Sequence, residues 1–197
     1  MKFKLFILVM AIALISACSN IAPEIKETSG IEFNPSSKPK DQVIKTKSPI
    51  EEIPDNLVKA TVTDHVDGDT VYVKINGKSY KMRMIGINCP EYTKEIDPYG
   101  KEASDYTKNQ LLGKTVYLET DVSNTDKYDR LLRYIWLEVP NKITEEEIRS
   151  KMFNAKLVLN GYAYAGNYPP DVKYTYYLKK FQKEAKDSKT GMWGLGN

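Results

Sequence analysis

From Leu57 onward the apolar residues alternate with polar ones. Val58, Ala60 and Val62 form one run, and Val71, Val73 and Ile75 form a second. A period of two is the signature of a half-buried strand. Asp67-Gly68-Asp69-Thr70 separates these runs, and Asn76-Gly77 follows the second. Asn-Gly suits a type I′ turn, so the chain is predicted to double back into a third strand over about 78–87. Asp97-Pro98 then reads as an N-cap followed by proline at the first helical position. Tyr99, Ala103, Tyr106 and Leu111 continue at helical spacing, and Gly113 supplies a stop. Two more strands are predicted over 114–120 and 131–139, joined by a polar loop over 121–130. Thr144 and Glu147 form a capping box for a second helix over 145–160, stopped by Gly161. A third helix, over 171–187, carries Tyr174, Leu178, Phe181 and Ala185 in one line. This mixed pattern, mainly β with α (α+β), predicts an OB-fold five-stranded barrel with three helices.

The N-terminus follows another rule. Lys2 and Lys4 precede an apolar run over 5–15 that is too short to span a bilayer but suits a signal-peptide core. Ile15-Ser16-Ala17-Cys18 resembles a bacterial lipobox. Residues 1–18 are therefore read as a lipoprotein signal peptide, with Cys18 as the lipidated first residue of the mature chain. Acyl chains there would hold the protein on the extracytoplasmic face of the cell membrane. Residues 19–56 contain five of the ten prolines and few large apolar side chains, so they read as a disordered tether. Residues 57–197 form the folded domain. With Cys18 lipidated, Cys89 is alone and no internal disulfide can form.

Composition changes this picture little. Lys and Arg total 29 against 26 Asp and Glu, a formal charge of +3. Nucleic-acid binding would have to come from local placement of charge. One histidine, His65, excludes a paired-histidine metal site and argues against a Ser-His triad. His65 itself reads as exposed and incidental.

The segment 82–91 carries the candidate chemistry. Arg83 lies in an otherwise apolar strand, where its burial is costly unless an anion meets it. Pro90 cannot donate a backbone hydrogen bond, so it ends the strand and turns Glu91 off the sheet edge. Asp67 and Asp69 arrive from the neighbouring turn. A cation and several carboxylates at one rim are equipment for metal-assisted attack on a phosphodiester. A surface ion pair beside a hairpin is the plainer alternative.

Six blocks occur in one order: DGDT (67–70), RMIGINCPE (83–91), YGKEAS (99–104), TDKYDR (125–130), LNGYA (159–163) and GMWG (191–194). Together they resemble the staphylococcal nuclease (thermonuclease) family over nearly all of 57–197. The resemblance implies hydrolysis of DNA and RNA to 3′-phosphate products with a divalent cation, usually calcium. It implies that Arg83 and Arg130 are catalytic arginines and that Glu91 is the catalytic carboxylate. Asp69 matches a metal ligand. Asn88 stands where the best-known members have a second aspartate. Cys89 stands where a threonine gives only its carbonyl oxygen. Asp67 matches an acid one layer further from the ion. Lys127 is expected to contact phosphate, and Tyr128 and Tyr168 to stack on bases. Tyr162 and Tyr164 are expected to pack in the protein instead. Asn88 lowers the charge around the ion, so weaker calcium binding and more tolerance of magnesium or manganese are expected. The protein is expected to be a monomer. The competing reading is an OB module that binds nucleic acid without cutting it.

Overall fold

The computed structural model describes residues 55–93 and 96–196. The signal peptide, Cys18 and the tether as far as residue 54 lie outside the described residues.

Strand β1 (Leu57–Asp67) serves two neighbours. Its second half pairs with β2 (Thr70–Ile75) and its first half with β5 (Thr115–Glu119), both antiparallel. Register shifts between Val62 and Asp64 and between His65 and Asp67 bend β1 enough to reach both. Asn76 and Gly77 both have positive φ, 48° and 84°, as the type I′ hairpin into β3 (Lys78–Met84) requires. β3 pairs in parallel with β6 (Leu131–Trp136), and β6 pairs antiparallel with β5. The barrel closes in the order β1-β2-β3-β6-β5. Val62, Val71, Val73, Met82, Val116 and Leu118 fill it. Two short strands outside the barrel, β4 (Ile87–Asn88) and β7 (Tyr164–Ala165), pair with each other.

Among the described residues there are four α-helices where three were expected. The first, α1 (Gly100–Leu111), starts after Tyr99, which sits in the left-handed region at φ 70°. Asp97 is therefore not its N-cap; its carboxylate accepts a hydrogen bond from the Glu91 amide at 2.9 Å. The predicted second helix is two, α2 (Glu145–Lys151) and α3 (Phe153–Leu159). Met152 between them is extended, at φ −82° and ψ 121°, and bridges to Trp136. Sheet pairing at that residue outcompetes helix propensity. Only half of the capping box forms. Thr144 accepts from the Glu147 amide, while the Glu147 carboxylate takes the Asn141 amide. The last helix, α4 (Thr175–Asp187), begins four residues later than predicted and buries Leu178, Phe181 and Ala185 as expected. A 3-10 turn over Gly191–Gly194 follows it.

Candidate active site

The turn between β1 and β2 is built for close approach. A Cβ on Gly68 would lie 2.6 Å from the Cys89 Cβ, so the position has room only for glycine. Thr107 of α1 donates to the Gly68 carbonyl at 2.5 Å. The turn is thereby fixed against both α1 and residue 89. Asp69 follows, nearly buried. Its Oδ1 accepts from the Thr70 hydroxyl at 3.1 Å and its Oδ2 from the Cys89 amide at 2.8 Å. The same Oδ2 forms an ion pair with Arg83.

Arg83 therefore meets the anion its burial demanded. Its Nη2 also donates to the Asn88 amide oxygen at 2.8 Å and to the Ile87 carbonyl at 3.2 Å. Burial pulls the Arg83 pKa down, yet a guanidinium stays charged at neutral pH.

Glu91 is held from two sides. Its backbone amide and carbonyl both bond Asp97, each at 2.9 Å. A Cβ on Gly100 would lie 2.3 Å from the Glu91 carbonyl oxygen, so α1 starts directly against this residue. Its Oε1 accepts from the Thr93 hydroxyl, from the Thr93 amide at 2.9 Å and from the Tyr92 amide at 3.2 Å. The Thr93 hydrogen bonds chiefly hold the Glu91 carboxyl down to about 2. Neighbouring Asp67 goes the other way. Burial, with the Glu91 carboxyl adding to it, pushes Asp67 up to about 6. Asp67 also accepts from the Gly68 amide at 2.7 Å, which opposes that rise.

Arg130 comes from the loop before β6. Asp126 orients it, accepting from its Nε at 2.7 Å and from its backbone amide at 3.0 Å. Arg83, Arg130, Glu91, Asp69, Asn88 and Cys89 all line one open cavity of about 320 Å³. Arg83, Arg130 and Tyr168 also line an adjoining pocket of about 230 Å³. Lys127 and Tyr128 lie on the loop beside it. The Tyr128 ring has the Lys127 ammonium 5.0 Å and the Arg130 guanidinium 5.5 Å from its centroid. Tyr162 packs between Tyr99 and Tyr106. His65 is half-buried rather than exposed, with its Nε2 3.0 Å from the Ser104 hydroxyl. Burial lowers its pKa.

The donor set fits a hard divalent cation in type, though it is sparse in charge. Asp69 offers a carboxylate, Asn88 an amide oxygen and Cys89 a carbonyl. The Cys89 thiol is not a donor here, because its side chain is buried against Gly68 and Ala103 and burial raises its pKa. Among the described residues no three Asp, Glu, His or Cys side chains cluster as a metal cage. Oxygen donors with few carboxylates suit a cation shared with substrate phosphate and water.

Sequence reasoning passed over Asp126, Thr93 and Asp97. Asp126, four residues before Arg130 in a polar loop, could have been found by that spacing. Nothing in the sequence singled out Thr93, and Asp97 carried a stronger signal for a different job.

Comparison with known proteins agrees with this geometry. The family described as staphylococcal nuclease homologue matches residues 81–194. Thermonuclease of Staphylococcus hyicus is 40% identical over 131 residues, covering 65% of this chain and 71% of that protein. Thermonuclease of Staphylococcus intermedius is 38% identical with the same coverage. The SPbeta prophage-derived endonuclease YokF of Bacillus subtilis is 32% identical over 141 residues, 70% of this chain and 44% of that one. With Arg83, Glu91 and Arg130 all inside the matched span, the chain belongs to the family of staphylococcal nuclease homologues.

Proposed function

We propose that this protein is a metal-dependent nuclease that hydrolyses phosphodiester bonds of DNA and RNA, leaving 3′-phosphate and 5′-hydroxyl ends. The observation that carries the reading is that Arg83, Arg130 and Glu91 line one cavity. Glu91 is held ionised at neutral pH and takes a proton from the attacking water as general base. That water adds to phosphorus, the bond to the 5′-oxygen breaks, and that oxygen leaves with the bonding pair and takes up a proton from solvent to become the 5′-hydroxyl. The phosphate gains negative charge on the way, and two guanidinium groups meet it from different elements. Donors aimed at charge that develops in the transition state lower the barrier most. Asp69 presets Arg83, and Asp126 presets Arg130, so neither long side chain has to be ordered when substrate arrives.

Asp69, Asn88 and the Cys89 carbonyl would hold the divalent cation, calcium first and magnesium or manganese as alternatives. Bound there it supplies further positive charge to polarise the phosphate. Tyr168, from the segment between β7 and α4, lies where a base could stack, and Lys127 and Tyr128 lie on the separate loop that carries Arg130. Cys18 would carry the lipid that holds the nuclease, as a monomer, on the outer face of the membrane. Plasmid DNA incubated with the protein and calcium, magnesium or chelator tests the reading. Cleavage abolished by chelator is expected. Plasmid retained but uncut under all metals would instead identify a silent nucleic-acid-binding module.

A further inference from the structure

A further cavity lies away from the catalytic residues. It measures about 430 Å³, and Tyr164, Lys189, Met192, Trp193 and Leu195 line it. A short ladder connects it to the active site. Asn88 and Tyr164 are cross-strand partners in the β4–β7 pair, so their side chains leave the same face. Asn88 turns to Arg83 on one side. On the other, Tyr164 meets the Trp193 ring edge to face at 5.3 Å. Lys186 lies over the Trp193 ring, its ammonium 4.4 Å from the centroid.

This cavity is rigidly built. Gly161 has φ 67°, and a Cβ there would come within 2.1 Å of the Thr190 carbonyl oxygen. The Met192 amide donates to the Gly161 carbonyl at 3.0 Å. These contacts fasten the Gly191–Gly194 turn onto the end of α3. Gln182 of α4 accepts from the Ala165 amide at 2.8 Å, fixing β7 as well. Its lining mixes the rings of Tyr164 and Trp193 and the apolar Met192 and Leu195 with backbone and the cationic Lys189. Among the described residues no carboxylate lines the cavity and Lys189 has no acidic partner.

We propose that this cavity is a remote nucleotide subsite, where a single strand leaving the catalytic centre past Asn88 stacks a base on Tyr164 or Trp193 and sets a phosphate beside Lys189. The inference rests on the nuclease reading, since the occupant is a further part of the same substrate. Flat rings with interspersed cations grip a single strand without regard to its sequence.

Oligothymidylates of two lengths test this on the full chain with calcium: a dinucleotide, and a strand of about twelve nucleotides that can reach both sites. Two variants are compared with the parent. Lys189→Asn removes the charge at a left-handed position, φ 52°, that asparagine tolerates. Tyr164→Leu removes a ring that is 44% exposed. Each variant should cut the dinucleotide with unchanged kcat and KM. KM for the longer strand should rise in both, by about fivefold or more for Tyr164→Leu, the effect of losing one stacked base, and with a weaker salt dependence for Lys189→Asn, the effect of losing one phosphate contact. Trp193 gives a second readout, because the other tryptophan, Trp136, is fully buried. With chelator present to prevent cleavage, the longer strand should quench tryptophan emission and the dinucleotide should not. Equal KM changes at both lengths, or no quenching, would overturn the subsite while leaving the nuclease intact. If neither length is cut under any metal, the nuclease reading fails and the subsite fails with it.

Discussion

Glu91 and Asp67 are carboxyls that influence one another in a single cleft, yet their surroundings pull them apart. Thr93 donors stabilise the charged form of Glu91, whereas burial disfavours it for Asp67. Glu91→Gln should fold normally and lose about 10²–10⁴ in kcat, as expected for loss of a general base; turnover near the parent's would remove Glu91 from the mechanism. Asp67 has a different consequence. Its folded pKa of about 6 lies above its ordinary value of 3.8, so the folded state binds more protons between them. Stability from this group is full below that window and is lost as pH rises through it. Asp67→Asn should therefore raise stability at pH 7 by on the order of 1 kcal/mol, discounted for partial solvent screening. It should also flatten the dependence between about pH 4 and 6, measured by urea unfolding in chelator. Asn88 gives a third test. Asn88→Asp adds a negative ligand and should tighten calcium binding by calorimetry; unchanged or weaker affinity would count against Asn88 as a ligand. Arg83 and Glu91 were legible because each breaks the pattern around it, a cation in an apolar strand and a carboxylate just past a strand-ending proline, whereas Asn88 stood out only through the family resemblance. Thr93 was not, because a threonine in a turn breaks no pattern, and Asp126 shows only as the acid four residues before Arg130. Their importance is geometric.

At the scale of elements, the strands of the barrel were legible and the helix ends were not. A strand alternating over six residues declares its buried face, and Asn76-Gly77 names its turn. Residues 145–160 carry a helical pattern throughout, yet Met152 leaves the helix to pair with Trp136 on the barrel. That competition is tertiary, so local propensity cannot foresee it. The strands β4 and β7 have two residues each, too few to show any period. What holds α3 to the sheet is Asn154, which is fully buried. Its amide oxygen accepts from Ile135 and its nitrogen donates to the Ile85 carbonyl, both at 2.9 Å. It ties α3 at once to β6 and to the bend after β3. Asn154→Leu would leave a buried donor and a buried acceptor without partners, costing about 2–4 kcal/mol in denaturant unfolding. Because Ile85 lies two residues from Arg83, the variant should also lower kcat at temperatures where it remains folded.

Across the whole molecule, the catalytic candidates come from segments far apart in sequence. Asp69 sits in the first hairpin, Arg83 on the strand that turns back, Glu91 at the foot of α1, and Arg130 in the loop entering β6. Barrel closure brings them together, because β3 carries Arg83 beside β6, with Arg83 opposite Leu132 in parallel register. A separate buried charge sits at Glu119, the last residue of β5. This fully buried carboxylate accepts from the Trp136 indole at 2.7 Å and from the Tyr174 hydroxyl, and it pairs with Lys173. Such a group is strongly destabilising if one partner is removed. Among the described residues, 55–93 and 96–196, the bonds that set the site all run between residues of the barrel and its helices and loops. A chain starting at Asp55 should therefore unfold in a single cooperative transition and cleave a soluble oligonucleotide with the same kcat as the full chain. What it should lose is location. The full chain should partition with membranes and incorporate labelled palmitate, and Cys18→Ala should abolish both without changing kcat. Labelling that persists in Cys18→Ala would refute the anchor, and a truncated chain that folds but cuts poorly would show that the N-terminal segment contributes to the site.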